Sequence, residues 1–143
     1  MTTPEEIILV DENDNPIGAS EKLAAHDSAN PQLHRAFSVF IFRERDGIKE
    51  LLLQQRHPDK YHSGRLWANT CCSHPRVGEE TIAAGERRLK EEMGISVTLR
   101  EVGQFTYKAV LDNNLTEYEY DHVLVGEFDG EVPFNTREAM AVK

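Results

Sequence analysis

The chain has 143 residues, of which 39% are hydrophobic and 29% are charged, and its formal net charge is −9. This length suits one globular domain, and the composition is neither that of a disordered chain nor that of a membrane-spanning one. The acidic balance also disfavours a general nucleic-acid binder, because a phosphate backbone would be repelled.

The first predicted elements are β-strands. Residues 7–10 and 17–21 are short strands separated by a polar turn, which predicts a hairpin. Residues 22–26 are ambiguous. Residues 36–43, AFSVFIFR, are a run of β-forming residues that predicts a buried strand, and residues 50–55 are its expected antiparallel partner.

One helix is predicted, from about Thr81 to about Met93. Thr81 is the expected N-cap, and Gly94 stands where a C-terminal glycine stop belongs. Further extended segments are expected at residues 66–73, 95–100, 104–111 and 117–125. Several strands around one central helix predict an α+β fold, a mixed α/β sandwich, as a single domain over residues 1–143.

Two adjacent cysteines, Cys71 and Cys72, lie in one of these extended segments. Their Cα atoms are about 3.8 Å apart, too close for an ordinary disulfide, so we expect a reduced protein of the cytoplasm. Because side chains alternate along a strand, Cys71 is the expected packing residue and Cys72 the candidate reactive group. The alternative is that Cys72 is also an inert buried thiol.

Histidines and glutamates supply a candidate metal site. Imidazole nitrogens with carboxylate oxygens suit a borderline divalent cation. Glu117 and Glu119 sit two apart on a predicted strand, so both side chains should point to one face. The histidine candidates are His26, His34 and His74. Their spacing is too loose for a zinc motif, so ordinary surface groups remain the alternative.

The predicted helix pairs arginines with glutamates one turn away. Arg87 with Glu91, and Arg88 with Glu92, are i,i+4 pairs, which is typical of a solvated helix face. The alternative is that these carboxylates bind a divalent cation while the guanidinium groups bind a phosphate. Further candidates for such an anion site are Lys22, Arg56 and Lys60.

Several segments together resemble the type I isopentenyl-diphosphate isomerases. The strongest are residues 67–79, WANTCCSHPRVGE, and residues 87–95, RRLKEEMGI. Residues 21–26, EKLAAH, residues 33–38, LHRAFS, and Glu117 with Glu119 extend the match. The resemblance implies a Nudix-like fold, with a central helix against mixed sheets. It also implies interconversion of isopentenyl and dimethylallyl diphosphate.

The resemblance implies two metal sites. Zinc or manganese would be bound by His26, His34, His74, Glu117 and Glu119. Magnesium would meet the diphosphate at Glu92 and the main-chain carbonyl of Cys72. The implied partner is a small diphosphate substrate, with no nucleic acid or membrane, and the chain is expected to be a monomer or a weak homodimer.

The resemblance also implies roles in the reaction. Cys72 matches one catalytic acid–base group and Glu119 the other, while Tyr107 matches a tyrosine near the reacting carbons. The positions that match basic residues around the diphosphate are Lys22, Arg56, Lys60, Arg87 and Arg88.

Two departures from the family pattern matter. The family has a tryptophan near its C-terminal end, whereas the single tryptophan of this chain is Trp67. Residues 133–143 look like the approach to a strand that is not completed, so we expect an open, wet site and poor turnover. Secondly, Ser73 and Arg88 replace the glycine and glutamate of a Nudix hydrolase. The alternatives are a Nudix diphosphate hydrolase or a truncated, inactive homologue that binds metal and diphosphate.

Overall fold

The computed structural model describes residues 6–60 and 63–142, which form a seven-stranded mixed sheet, a three-stranded antiparallel sheet and two helices. The elements in chain order are β1 (Glu6–Val10), β2 (Pro16–Glu21), α1 (Lys22–His26), β3 (His34–Arg45), β4 (Ile48–Leu51), β5 (Gln54–Arg56), β6 (Trp67–Ala68), β7 (Cys71–Ser73), α2 (Thr81–Met93), β8 (Arg100–Val110), β9 (Thr116–Glu127) and β10 (Ala139–Val142).

Strand β3 organises the large sheet. It pairs in parallel with β9 and antiparallel with β1, β4 and β7, and β8 follows β9 at one edge. Phe37, Val39 and Ile41 alternate along β3 and are all buried, as expected for a strand at the centre of a core. The register sets His34 beside Glu119 in β9, and Ser38 beside Cys72 in β7.

Helix α2 packs its apolar side onto this sheet. Its residues Ala84, Leu89 and Met93 are buried in the same core as the alternate residues of β3. The N-cap is Glu80, whose carboxylate accepts a hydrogen bond from the Ile82 N–H, and not Thr81 as the sequence had predicted. A glutamate can fill this role because its oxygen reaches the same N–H groups that a threonine hydroxyl would cap.

Gly94 ends α2 in the left-handed conformation, with a φ of 72°, and a Cβ added there would lie 2.6 Å from the Pro133 carbonyl oxygen. We expect Gly94→Ala to lower the free energy of unfolding by about 2–4 kcal/mol, the sum of left-handed strain and overpacking. Gly78 has a φ of 81° with nothing within 4 Å. Gly78→Ala is therefore the matched control and should cost about 1–2 kcal/mol. Urea denaturation measures both, and equal losses would contradict this account.

Two predictions for local structure need correction, and one open assignment is resolved. Residues 95–99 are irregular rather than a strand, because the burial of Ile95 and Leu99 fixes this segment by packing. Residues 50–55 do not form one strand. Instead, β4 pairs with β3, and β5 then leaves for the small sheet. The ambiguous residues 22–26 form helix α1, which is capped by the Glu21 carboxylate.

The prediction that residues 133–143 would not complete a strand is also wrong. Ala139–Val142 is β10, which pairs antiparallel with β5, and β5 pairs in turn with β6. Burial of Ala139 explains why this segment docks. Neither described helix is long and apolar enough to span a membrane.

Candidate functional site

A cleft of about 420 Å³ opens beside β7 and β9. Six of the residues to which the sequence assigned chemistry line it, namely Arg56, Cys72, His74, Tyr107, Glu117 and Glu119. A second cavity, of about 270 Å³, is lined mainly by apolar side chains such as Ile41 and Phe128 and contains none of the predicted site residues. We therefore place the candidate active site in the larger cleft.

Four buried side chains converge at the base of this cleft. His26, His34, His74 and Glu119 each offer a ligand atom, and these atoms lie within 4.8 Å of one another. They come from the end of α1, the start of β3, the segment after β7, and β9. Because β3 and β9 run parallel with His34 opposite Glu119, the sheet itself brings the first two groups together.

The three imidazoles face one carboxylate oxygen. Glu119 Oε2 lies 3.1 Å from His74 Nε2, 3.2 Å from His34 Nε2 and 3.9 Å from His26 Nε2. The Nδ1 atoms of His26 and His34 lie 2.7 and 2.9 Å from the main-chain carbonyls of residues 22 and 32, so each Nδ1 carries the hydrogen. The Nε2 atoms of both rings therefore face the Glu119 carboxylate, an arrangement that a bridging cation stabilises.

The protonation states also suit metal binding. Burial lowers the pKa of His26 to about 4 and lowers the pKa of His74, so both rings are neutral at pH 7. Burial works against ionisation of Glu119, but hydrogen bonds with His34 and His74 hold its pKa well below the usual range. Neutral imidazoles and an ionised carboxylate are the forms that bind a metal, so this donor set fits a divalent cation.

Glu117 stands beside this cluster and not within it. The Tyr107 hydroxyl donates a hydrogen bond to Glu117 and is also within hydrogen-bond reach of Glu119, so the two glutamates do share one face of β9 as predicted. Burial and the neighbouring Glu119 charge raise the pKa of Glu117, and burial raises the pKa of Tyr107. Tyr107 is thus a neutral phenol that orients both carboxylates.

The two cysteines point to opposite sides of β7. Cys71 is buried in the core, with its sulfur 3.4 Å from Glu92 Oε2, as expected for the packing residue. Cys72 faces the cleft and is exposed, and its sulfur lies 3.0 Å from Asn69 Oδ1 and 3.6 Å from Ser38 Oγ. Desolvation by surrounding protein atoms raises the pKa of Cys72 to about 12, although one side of the sulfur is open, so the group is a thiol at pH 7.

Most of the predicted basic residues bind carboxylates of the chain itself. Arg87 contacts Glu79 and Glu91, and the predicted pair of Arg87 with Glu91 is confirmed at 3.0 Å. Lys60 pairs with Glu138, which also accepts a hydrogen bond from Arg88 at 2.6 Å. These groups therefore reach an anionic ligand only by exchanging partners.

The two remaining basic positions are differently placed. Arg56 lines the cleft itself. Lys22 is half-buried on α1, where its main-chain carbonyl receives the His26 Nδ1 hydrogen bond.

Glu92 lies apart from the histidine cluster. It is buried, and its carboxylate contacts Arg88 Nε at 2.8 Å, Gln54 Nε2 at 2.9 Å and the Cys71 sulfur. The predicted i,i+4 pair with Arg88 is thus confirmed. Glu92 does not line the cleft, and both of its oxygens already accept hydrogen bonds. The role of Glu92 in the magnesium site that the resemblance implied stays a prediction.

Sequence reasoning missed three polar residues near the thiol. Asn69 and Ser38 contact Cys72, and Ser38 donates a 3.0 Å hydrogen bond to the buried Asp121. Burial raises the pKa of Asp121 to about 7. One signal was available, since Asp121 continues the alternate positions of Glu117 and Glu119 along one strand. Asn69 and Ser38 lie within two of the segments that carry the family resemblance, residues 67–79 and 33–38, but no role was assigned to either of them.

Comparison with known proteins finds a matching domain family and similar individual proteins. The NUDIX domain family model matches residues 32–143. Isopentenyl-diphosphate Delta-isomerase 2 of Photorhabdus laumondii subsp. laumondii is 52% identical over 137 residues, which are 96% of this chain and 75% of that protein. Isopentenyl-diphosphate Delta-isomerase of Serratia proteamaculans is 54% identical over 126 residues, 88% of this chain and 68% of that protein.

Solved structures share the fold at low sequence identity. DR0079 from Deinococcus radiodurans superposes with a TM-score of 0.76 at 19% identity, covering 97% of this chain and 82% of its own. A MutT protein from Methanosarcina mazei Go1 gives a TM-score of 0.63 at 18% identity, covering 78% of this chain and 75% of its own. At this identity the likeness concerns the fold alone.

Proposed function

The chain belongs to the isopentenyl-diphosphate Delta-isomerase family, within the larger NUDIX family, and from this premise we propose that it interconverts isopentenyl and dimethylallyl diphosphate. The observation that carries the proposal is the meeting of one thiol and one carboxylate in a single cleft. Cys72 enters from β7 and Glu119 from β9, and these strands lie on either side of β3.

The reaction needs two proton transfers at different carbons. One group adds a proton to the terminal alkene carbon, which leaves a tertiary carbocation, and a second group removes a proton from the carbon on the other side. We assign these transfers to Cys72 and Glu119, and the net proton count is unchanged over one turnover. Tyr107, which is bound to Glu119, holds that carboxylate in place beside the substrate.

The carbocation must be kept from water, which would otherwise add to it. Aromatic faces stabilise such a cation by up to about 2 kcal/mol in a dry site. Trp67, Phe105 and Tyr107 line the cleft, but Trp67 is 40% exposed and Phe105 is 50% exposed. The shielding from these described residues is partial.

We propose that His26, His34, His74 and Glu119 hold zinc or manganese, with Glu117 as the neighbouring carboxylate. When bound, such an ion supplies a fixed positive charge that orients Glu119 and tunes its proton affinity. For magnesium near the diphosphate, the residues that would hold it are Glu92 and the main-chain carbonyl of Cys72, and no step here depends on it. Arg56 is the basic residue of the cleft that we assign to the diphosphate.

The hydrolase alternative is disfavoured by Arg88. A guanidinium stands where a Nudix hydrolase would have a glutamate, and it pairs with Glu91, Glu92 and Glu138. These ion pairs neutralise the acidic cluster on α2 that a hydrolase would use to gather metal ions and activate water.

A reaction in deuterated water distinguishes the two activities. We expect the zinc- or manganese-loaded chain to convert isopentenyl diphosphate into dimethylallyl diphosphate that carries deuterium, as seen by nuclear magnetic resonance, with no release of phosphate. The same sample treated with a chelator is the control and should be at least about 100-fold slower. Release of phosphate or of a monophosphate without any isomer would overturn the proposal.

A further inference from the structure

The side chain of Asn69 sits in the connection between β6 and β7, which belong to different sheets. Its Nδ2 donates hydrogen bonds to two main-chain carbonyls, that of Val39 at 2.9 Å and that of Cys71 at 3.1 Å. Val39 and Cys71 are register partners in the β3–β7 ladder. The Asn69 amide therefore bridges β3 and β7 at the end of their ladder, next to Cys72.

These two bonds decide which way the amide faces. An amide nitrogen has two hydrogens, and both are used. Turning the group over would set its oxygen against the carbonyl oxygens of Val39 and Cys71, which is repulsive. Oδ1 is consequently held toward Cys72, whose sulfur donates to it at 3.0 Å.

Ser38, the other polar neighbour of the Cys72 sulfur, does not hold the S–H group in the same way. Ser38 Oγ lies 3.6 Å from Cys72 Sγ, and its single hydrogen is donated to Asp121 Oδ1 at 3.0 Å. The serine hydroxyl is therefore the more distant acceptor, and its direction is set by Asp121. Of the two described side chains in hydrogen-bond contact with the sulfur, Asn69 is the nearer, and backbone carbonyls fix its orientation.

We propose that Asn69 is a positioning residue for the reaction, because its clamped amide holds the Cys72 thiol on the cleft side of β7. This inference rests on the proposed function, since it assigns the thiol to proton transfer. It predicts that Asn69 acts on the chemical step through Cys72 and not on diphosphate binding. Arg56, on β5, is separate from this contact.

The test compares kcat and KM for isopentenyl diphosphate in three variants. We expect Asn69→Ala to lower kcat by about 10–100-fold, because the thiol remains but loses the contact that positions it for proton transfer. KM should stay within about 2-fold of the parent value. Asn69→Asp should fall similarly, because a carboxylate has no N–H for the carbonyls of Val39 and Cys71. Gln104→Ala is the control, since this amide bonds Glu101 and Tyr120 and is not among the residues that line the cleft, and it should retain the parent rate.

A second measurement separates positioning from loss of structure. The rate at which iodoacetamide alkylates Cys72 should rise at least about 3-fold in Asn69→Ala, because the acceptor that holds the S–H is gone. Metal content should stay at the parent level. A variant with unchanged kcat and unchanged alkylation would overturn the inference, as would a rise in KM with kcat unchanged or a loss of bound metal.

Failure of the proposed function gives a different result. If the parent chain forms no dimethylallyl diphosphate, or Cys72→Ala keeps the full rate, the assigned chemistry is wrong whatever Asn69 does. If the parent is active and Cys72→Ala is inactive, an unaffected Asn69→Ala overturns only the positioning role.

Discussion

Replacing Cys72 by alanine is expected to lower the isomerase kcat by about 1,000-fold or more. The thiol is one of two proton-transfer groups, and a positioned acid or base typically contributes 10²–10⁴-fold. The sulfur projects into the cleft and its removal leaves the core untouched, so the folded state should be retained. Conversion of isopentenyl diphosphate, measured with a melting curve on the same sample, checks both statements.

Cys71→Ala provides the matched control, because the same chemical change is made one residue away. Cys71 is buried and faces α2, so its loss should lower stability by about 1–2 kcal/mol and leave most of the rate. If Cys72→Ala keeps the parent rate, the thiol has no part in the reaction and the proton chemistry assigned here is wrong.

Glu119→Gln is expected to remove both metal and activity. The amide has nearly the shape of the carboxylate, but it carries no charge to bind a cation or to accept a proton from substrate. Loss of an outer contact to a metal ligand costs 10–100-fold in affinity, so loss of this ligand should cost at least about 100-fold. Elemental analysis of purified protein and a titration with zinc measure the change.

Two other glutamates on β9 provide control variants for this measurement of metal affinity. Glu127 is exposed at the end of the strand, and Glu127→Gln should bind metal like the parent. Glu117 lies outside the four-residue cluster, so Glu117→Gln should weaken binding less than Glu119→Gln does. If Glu119→Gln retained one tightly bound zinc, the carboxylate would not be a ligand and the cluster would need another explanation.

The main elements could be predicted because their patterns are local. The β-forming run around Phe37, the alternation of Glu117 with Glu119, and the spacing of Arg87 with Glu91 each reflect a single element. The α+β fold that these elements predicted, and the Nudix-like fold that the resemblance implied, are confirmed by the family model and by the solved structures. Two local predictions were wrong, the strand that included residues 95–99 and the N-cap at Thr81. Packing fixes the first segment, and a hydrogen bond to the Glu80 side chain caps the helix instead.

The site was harder to predict, because it depends on the sheet register. Parallel pairing of β3 with β9 sets His34 beside Glu119, which are 85 residues apart in sequence, and no local pattern encodes that register. The family resemblance identified these residues as metal ligands but did not show how they are arranged relative to one another. It also named Arg88 and Glu92, which pair with each other in the structure, as their i,i+4 spacing predicts. The second partner of Arg88, Glu138, lies in a distant segment, and no local pattern in the sequence encodes that ion pair.

The central claim is that three imidazoles and one carboxylate bind a single ion beside the Cys72 thiol. X-ray absorption spectroscopy of the zinc-loaded chain tests it most directly. We predict only nitrogen and oxygen ligands at about 2.0–2.2 Å, with the multiple-scattering pattern of three imidazoles. A sulfur shell at about 2.3 Å, or a signal from fewer than two imidazoles, would contradict the account.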